Sequence, residues 1–428
     1  MTERMGKNSE AIRLLMVFYN TIEQSVELTE MPSKTWRRVY VDGDFVTAFY
    51  SEAALIEATV CLLRNKTIED NYTQKALASL VAERFITVFA KEPNEIQARI
   101  DGLLNELLTP TSDVMNVYMS IHGVSVLQRV KLGEFEFIPA ADYAKIGIKY
   151  FNEQMELHVK EKLWQNHDHV MVSVSARESV KAQEKAYAEF QWLENAARLF
   201  VDSDFYDIGI TSFNYSSVEN SLVTSSDGVM RGASSRLKGS PIPLPFTKVF
   251  EPGNNLYRVV DKLGYRQNDL TQLQRRIRHA VYLGGLSAHE TVPEVAYFLS
   301  VSAMEALFQS DADKYVNPSI AQQIVEAFCY LIVDEKHRRG VFEQMRTFYG
   351  KRSAIAHGGK TFVTVDDARL VRSYLRAAIL KFIDDPVLSS LKSLDEVSAI
   401  IRDKKFGVKA SIGLHHESGG KLNEVNHV

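Results

Sequence analysis

The sequence predicts an α+β protein: a mixed helix-and-sheet N-terminal region over 1–245, an all-α helical bundle over 255–403, and a flexible tail over 404–428. Three observations carry this reading. Apolar residues recur at helical spacing through the first hundred positions, β-branched runs separated by turn signals begin at Val114, and helical patterning stands alone beyond Pro245. With 428 residues, 45% hydrophobic and 24% charged, the composition is that of a globular chain of about two to three domains.

The first helix is expected between Asn8 and Leu28, where Ile12, Leu15, Met16, Tyr19, Ile22 and Val26 share a face. A second begins near Ser51, a third runs from Lys75 to Ala90, and a fourth from Ile96 to Leu108 ends before Pro110. Val114–Ile121 is an apolar β-branched run stopped by His122-Gly123. Val124–Leu132 and the alternating Glu134-Phe135-Glu136-Phe137 continue the sheet, with further strands at His169–Val174 and Tyr206–Phe213. Between the last two lies an amphipathic helix, Val180 to Val201, with Tyr187, Phe190, Leu193 and Ala197 on one side.

Residues 211–240 are rich in Ser, Asn and Gly, and Pro241-Ile242-Pro243-Leu244-Pro245 favours an extended connector, placing the main boundary near Pro241–Asn254. Five helices then follow. They begin near Asn268, at Pro293 (well placed for a first turn), at Pro318, at Val341 and at Asp366 or Asp367 as cap. The fourth closes on His357-Gly358-Gly359, and the fifth ends before Asp385-Pro386.

Fifty basic against 54 acidic side chains leave a formal charge of −4, so no global attraction to nucleic acid operates, although a local patch can still supply one. Only Cys61 and Cys329 are present, which excludes a disulfide framework and a thiolate metal site. No segment reaches the roughly 18 apolar residues of a membrane span, and Met1–Asn8 lacks the apolar core of a secretory signal, so a cytoplasmic, non-membrane protein is expected. No phosphate-cradling G-x-x-x-x-G-K-[ST], G-x-S-x-G elbow or H-E-x-x-H occurs, and Gly358-Gly359-Lys360 follows a helix instead of a strand.

Two clusters carry chemistry. His167-Asp168-His169 has the spacing of a metal-binding pair on a strand, but no third ligand can be named and the residues equally suit a polar loop; no metal or other cofactor is expected. The second is Phe348-Tyr349-Gly350-Lys351-Arg352-Ser353-Ala354-Ile355-Ala356-His357-Gly358. In a helix, Ser353 and His357 are neighbours on one face, while Arg352 lies about 140° around from His357 and reaches a common cleft only through its long side chain. His357 falls at the helix C-terminus, where unpaired carbonyls suit a positive charge. A guanidinium, a hydroxyl and an imidazole together match a phosphodiester, with its anionic oxygens and migrating protons; helix capping or core hydrogen bonding is the structural alternative.

Arg352, a polar Ser353 and His357 at a helix end resemble the R-x4-6-H motif of HEPN domains, and Tyr349–Gly358 is similar to the Apea-like HEPN branch. The preceding Tyr297-Phe298-Leu299-Ser300-Val301-Ser302-Ala303-Met304-Glu305-Ala306-Leu307-Phe308 also resembles that branch, so the likeness covers roughly residues 265–390. It implies a metal-independent endoribonuclease acting in bacterial antiviral defence or as a toxin, or a non-catalytic dimerisation, interaction or RNA-binding relative. It also implies a homodimer whose paired bundles build one composite cleft, and a regulatory or antitoxin partner. His357 would serve as base or acid at the ribose 2′-hydroxyl and the leaving oxygen, and Arg352 would stabilise the phosphorane-like charge. Ser353 stands where Asn, Asp or His is common, a departure that weakens orientation.

Charge around this segment suits RNA. Asp334 to Arg352 holds six basic residues against three acidic ones, and Arg369, Arg372 and Arg376 fall at i, i+3 and i+7. Lys351, Tyr349, Arg346, Arg369, Arg372 and Arg376 are the candidate RNA-binding residues; Arg275, Arg276 and Arg278 begin the bundle with a further basic cluster. For each, a solvated helix face is the alternative.

Overall fold

The computed structural model describes residues 2–24, 35–42, 44–91, 93–109, 113–143, 145–146, 168–201, 208–210, 218–237, 244–245, 250–265, 269–309, 320–358 and 361–407. The chain is α+β and forms two compact units, one of residues 1–194 with 203–257, the other of residues 195–202 with 258–428.

The first unit opens with α1 (Thr2–Tyr19), β1 (Glu23–Gln24), β2 (Thr35–Val41) and β3 (Asp44–Tyr50). Here the sequence reading, mainly helix over the first hundred residues, is extended: the strands form a three-stranded antiparallel sheet, order β1-β3-β2, that was not expected. Asp42 turns the β2–β3 hairpin with φ +52°, a left-handed conformation that Asp tolerates better than most residues. Helices α2 (Glu52–Leu63), α3 (Lys66–Glu69), α4 (Gln74–Lys91) and α5 (Ile96–Leu108) follow, and Ser51 caps α2 by accepting from the Ala54 N–H. Leu15 and Phe18 of α1, Leu62 of α2, Leu77, Val81 and Phe85 of α4 and Leu107 of α5 share one core with the inner face of the hairpin.

Next come β4 (Asp113–Ser120), β5 (Val124–Ser125), β6 (Val130–Leu132), β7 (Phe135–Ile138), α6 (Ala140–Tyr143), β8 (His169–Ala176), α7 (Ser179–Val201), β9 (Val218–Ser225), β10 (Met230–Leu237) and β11 (Leu244–Pro245). The expected strand at Val124–Leu132 is two short strands, and β9 and β10 occupy the Ser-, Asn- and Gly-rich stretch 211–240, for which no strand was expected. An antiparallel six-stranded sheet of order β10-β9-β4-β8-β7-β6 results, while β11 pairs parallel to β5. Trp192 of α7 stacks on Phe135 of β7 with ring centroids 6.2 Å apart. Most of the expected Tyr206–Phe213 strand lies outside the described residues; within it, Gly209 bridges to His122.

The second unit holds most of α8 (Asn255–Leu263), then α9 (Gln272–His289), α10 (Pro293–Phe308), α11 (Ile320–Leu331), α12 (Arg338–Ala356), α13 (Val365–Asp384) and α14 (Leu394–Lys405). Pro293 occupies the first turn of α10. The cap of α13 is Thr364, whose hydroxyl accepts from the Asp367 N–H while Asp367 reaches back to the Thr364 N–H, so Asp367 is the third helical residue and not the cap. Tyr297, Met304 and Leu307 of α10 are fully buried with Val371, Leu375 and Ile379 of α13. The Tyr297 hydroxyl donates to the Phe348 carbonyl of α12 at 3.1 Å. Residues 195–202, which include the last turns of α7, group with this unit, and Gly285 of α9 meets them so closely that a Cβ there would lie 2.1 Å from the Asn195 carbonyl oxygen. Pro318 and residues 408–428 of the expected tail lie outside the described residues. Among the described residues no helix is long and apolar enough to cross a membrane.

Candidate functional site

The last turns of α12 bring Tyr349, Lys351, Arg352, Ser353 and His357 to one end of the bundle, but each side chain has a different setting. His357 is the C-terminal cap: its N–H donates to the Ser353 carbonyl at 3.1 Å, its backbone leaves the helix at φ −96°, ψ 14°, and its side chain is exposed. Gly358 follows at φ +70°, the left-handed stop that glycine adopts without steric cost. Ser353 is half-buried.

Arg352 faces α10. Its Nη2 donates to Glu305 Oε2 at 2.7 Å, and the two side chains keep only 21% and 13% of their exposure. The guanidinium lies 4.8 Å from the Phe298 ring centroid and 5.9 Å from that of Tyr349, so two aromatic rings and one carboxylate fix its orientation. The Tyr349 phenol is a further side-chain hydrogen-bond partner of Glu305, whereas Arg352 Nε is buried without a partner among the described residues. Burial raises the Glu305 carboxyl above the ordinary carboxylate range, outweighing the Arg352 attraction that lowers it. Burial, with the nearby Glu305 charge, likewise raises the Tyr349 phenol.

Glu305 was not foreseen, although a signal existed: between Val295 and Phe308 it is the single charged residue of an apolar helix. A carboxylate in such a run is either exposed or paired, and here it is paired with the guanidinium that the motif singles out.

The remaining basic candidates divide. Arg346 is exposed, while Lys351 is half-buried and pairs with Asp367 at 3.0 Å, where bonds from the Thr364 backbone N–H hold the Asp367 carboxyl below its usual range. The stripe expected from Arg369, Arg372 and Arg376 is corrected, because spacing shows a face but not what covers it. Arg372 is buried and donates to the Ser287 carbonyl and hydroxyl; Arg376 donates to the Leu199 carbonyl; Arg369 pairs with Asp366 at 3.1 Å. Arg275, Arg276 and Arg278 also satisfy carbonyls, those of Leu270, of Ala306 and Gln309, and of Leu263 and Tyr265. They close helix ends and loops in place of a phosphate.

The His167-Asp168-His169 cluster is read differently once placed. Asp168 spends its carboxylate on backbone N–H groups, Oδ2 on Val126 at 2.6 Å and Oδ1 on Ala140 at 2.9 Å. His169 is fully buried and stacks on Tyr143 at 3.8 Å between ring centroids; His167 lies outside the described residues. Among the described residues no group of three or more His, Cys, Asp or Glu side chains is disposed to hold a metal ion.

No family model matches the chain. No curated protein and no solved structure matches it either.

Proposed function

We propose that the second unit is a metal-independent endoribonuclease of HEPN type, active as a homodimer. His357 takes the 2′-hydroxyl proton or protonates the leaving 5′-oxygen, and the imidazole of the second copy does the complementary task. Arg352 neutralises charge on the phosphorane-like transition state, and Ser353 orients its neighbours. The products are a 2′,3′-cyclic phosphate and a 5′-hydroxyl. A role in antiviral defence or as a toxin rests on the sequence resemblance alone.

One observation carries this reading: an exposed imidazole closes α12 five residues after a guanidinium held rigidly by Glu305, Phe298 and Tyr349. A donor fixed beforehand costs no reorganisation when charge develops, which is the main way a protein stabilises such a transition state.

The test is incubation of purified protein with RNA in EDTA, beside Arg352→Ala and His357→Ala. Each substitution is expected to lower cleavage by about 100-fold or more, with cyclic phosphate ends mapped on the wild-type products. Cleavage that requires metal, or that survives both substitutions, rejects the mechanism. A second reading is favoured by the same ion pair, since Glu305 already neutralises Arg352: a non-catalytic interaction module in which the pair only holds α10 to α12. It predicts that the substitutions lower melting temperature or dimerisation and that no RNA product forms.

A further inference from the structure

The β2–β3 hairpin of the first unit has two unlike faces. Its inner face, Val39, Val41 and Ala48, is buried in the helical core. Its outer face carries Trp36, Arg38 and Tyr40 at alternate positions of β2, and on β3 Phe45 and Thr47, which pair directly with Tyr40 and Arg38. Trp36, Tyr40 and Phe45 are 53%, 65% and 66% exposed. Tyr40 and Phe45 meet edge to face at 5.0 Å. The Arg38 guanidinium lies 5.6 Å from the Phe45 centroid, and its Nε donates to Thr47 Oγ1 at 3.4 Å. Among the described residues no carboxylate pairs with Arg38. Its neighbour Arg37, on the opposite face, is committed to Glu83 and the Ser79 carbonyl.

We propose that this face is a base-stacking platform for single-stranded RNA. Trp36 and the Tyr40–Phe45 ring pair stand four residues apart along β2, roughly 13 Å, a distance that a splayed single strand spans with about two nucleotides. Every base offers a π-face, so such rings bind without reading sequence. Arg38 stands between Trp36 and Tyr40 as a cation that no carboxylate among the described residues answers, which suits the phosphates of the bound strand. That central exposed charge favours a polyanion over an apolar protein surface, although Trp, Tyr and Arg also serve as anchors between proteins. The proposal takes RNA as substrate from the ribonuclease reading and extends it to substrate capture, but it stands on other residues in the other unit.

The experiment uses the full chain and fluorescein-labelled, fully 2′-O-methylated oligo(U) and oligo(A) 12-mers, whose blocked 2′-hydroxyl prevents cleavage, so that anisotropy reads binding alone. Wild type is expected to bind both, with binding weakening as salt rises. Trp36→Ala and Tyr40→Ala each weaken it by about tenfold, and Trp36→Phe and Tyr40→Phe recover most of the loss because the ring is what matters. Arg38→Ala flattens the salt dependence by about one phosphate contact. These positions are exposed, so melting temperatures stay at the wild-type value. Failure of wild type to bind, or unchanged affinity in the Trp36→Ala/Tyr40→Ala/Phe45→Ala triple variant, overturns the platform. So does a triple variant that changes only its elution on a sizing column, because the face then belongs to a protein contact. A chain that binds these probes and never cuts unmodified RNA keeps the platform and loses the nuclease; the reverse result removes the platform alone.

Discussion

Separating Arg352 from Glu305 perturbs stability by an amount that the geometry sets. An exposed ion pair contributes about 0–1 kcal/mol, whereas breaking a fully buried one costs about 3–5 kcal/mol. With side-chain exposures of 21% and 13% and one charge-assisted bond of 2.7 Å, this pair falls between the two, at a coupling of about 2 kcal/mol. Arg352→Ala also gives up the Phe298 and Tyr349 rings, for about 0.5–1 kcal/mol more, so it is expected to exceed Glu305→Gln. Glu305→Gln removes an ionised carboxylate that burial penalises, which offsets part of its loss. Burial raises the folded-state pKa of Glu305, so the folded chain holds this proton more tightly than the unfolded chain. Its contribution to stability is therefore complete below the ordinary Glu range and declines as pH rises through the raised value. Urea unfolding of wild type, both single variants and the double variant at pH 8 gives the coupling; repetition at acid pH shows it shrink as the carboxyl protonates. A coupling under about 0.5 kcal/mol at pH 8 would refute the view that this pair fastens α12 to α10.

Three further outcomes are expected. Thr364→Ala removes the hydroxyl that accepts from the Asp367 N–H and costs about 1 kcal/mol, a fall of about 2–4 °C in the melting temperature read by calorimetry. Gly285→Ala drives a methyl to 2.1 Å from the Asn195 carbonyl oxygen and lowers stability by about 2–3 kcal/mol in denaturant titration, despite the better helix propensity of alanine. The Cys329 thiol is 2% exposed and pushed up to about 11 by burial, so Ellman's reagent at pH 8 is expected to leave it unmodified until urea unfolds the chain.

The helices were legible where local chemistry decides them. Pro293 starts α10, Gly358 stops α12, and Ile96–Leu108 keeps a 3.6-residue pattern throughout. The β2–β3 hairpin was not, because it inverts the usual pattern: Arg37 shares the face of Val39 and Val41, while Trp36 and Tyr40 point to solvent. Its one plain signal was Asp42-Gly43, a favoured two-residue turn. Strands β9 and β10 hid for another reason, since Ser, Asn and Gly in Val218–Ser225 and Met230–Leu237 offer little propensity and the ladder is backbone. At the candidate site, adjacency in sequence exposed Arg352, Ser353 and His357. Glu305 escaped because its partner lies 47 residues away, and Arg372 misled because a helical face has the same periodicity whether it meets water or Ser287.

The assignment of residues 195–202 to the second unit bears on how the chain can be divided. A fragment beginning at Asn255 would discard the piece that fits against Gly284 and Gly285, where Leu199 and Asn195 fill the space a methyl would take. It would also strip Arg376 of its Leu199 carbonyl. One cut in the backbone therefore cannot release an intact bundle: the second unit borrows its missing wedge from sequence that precedes the proline-rich connector.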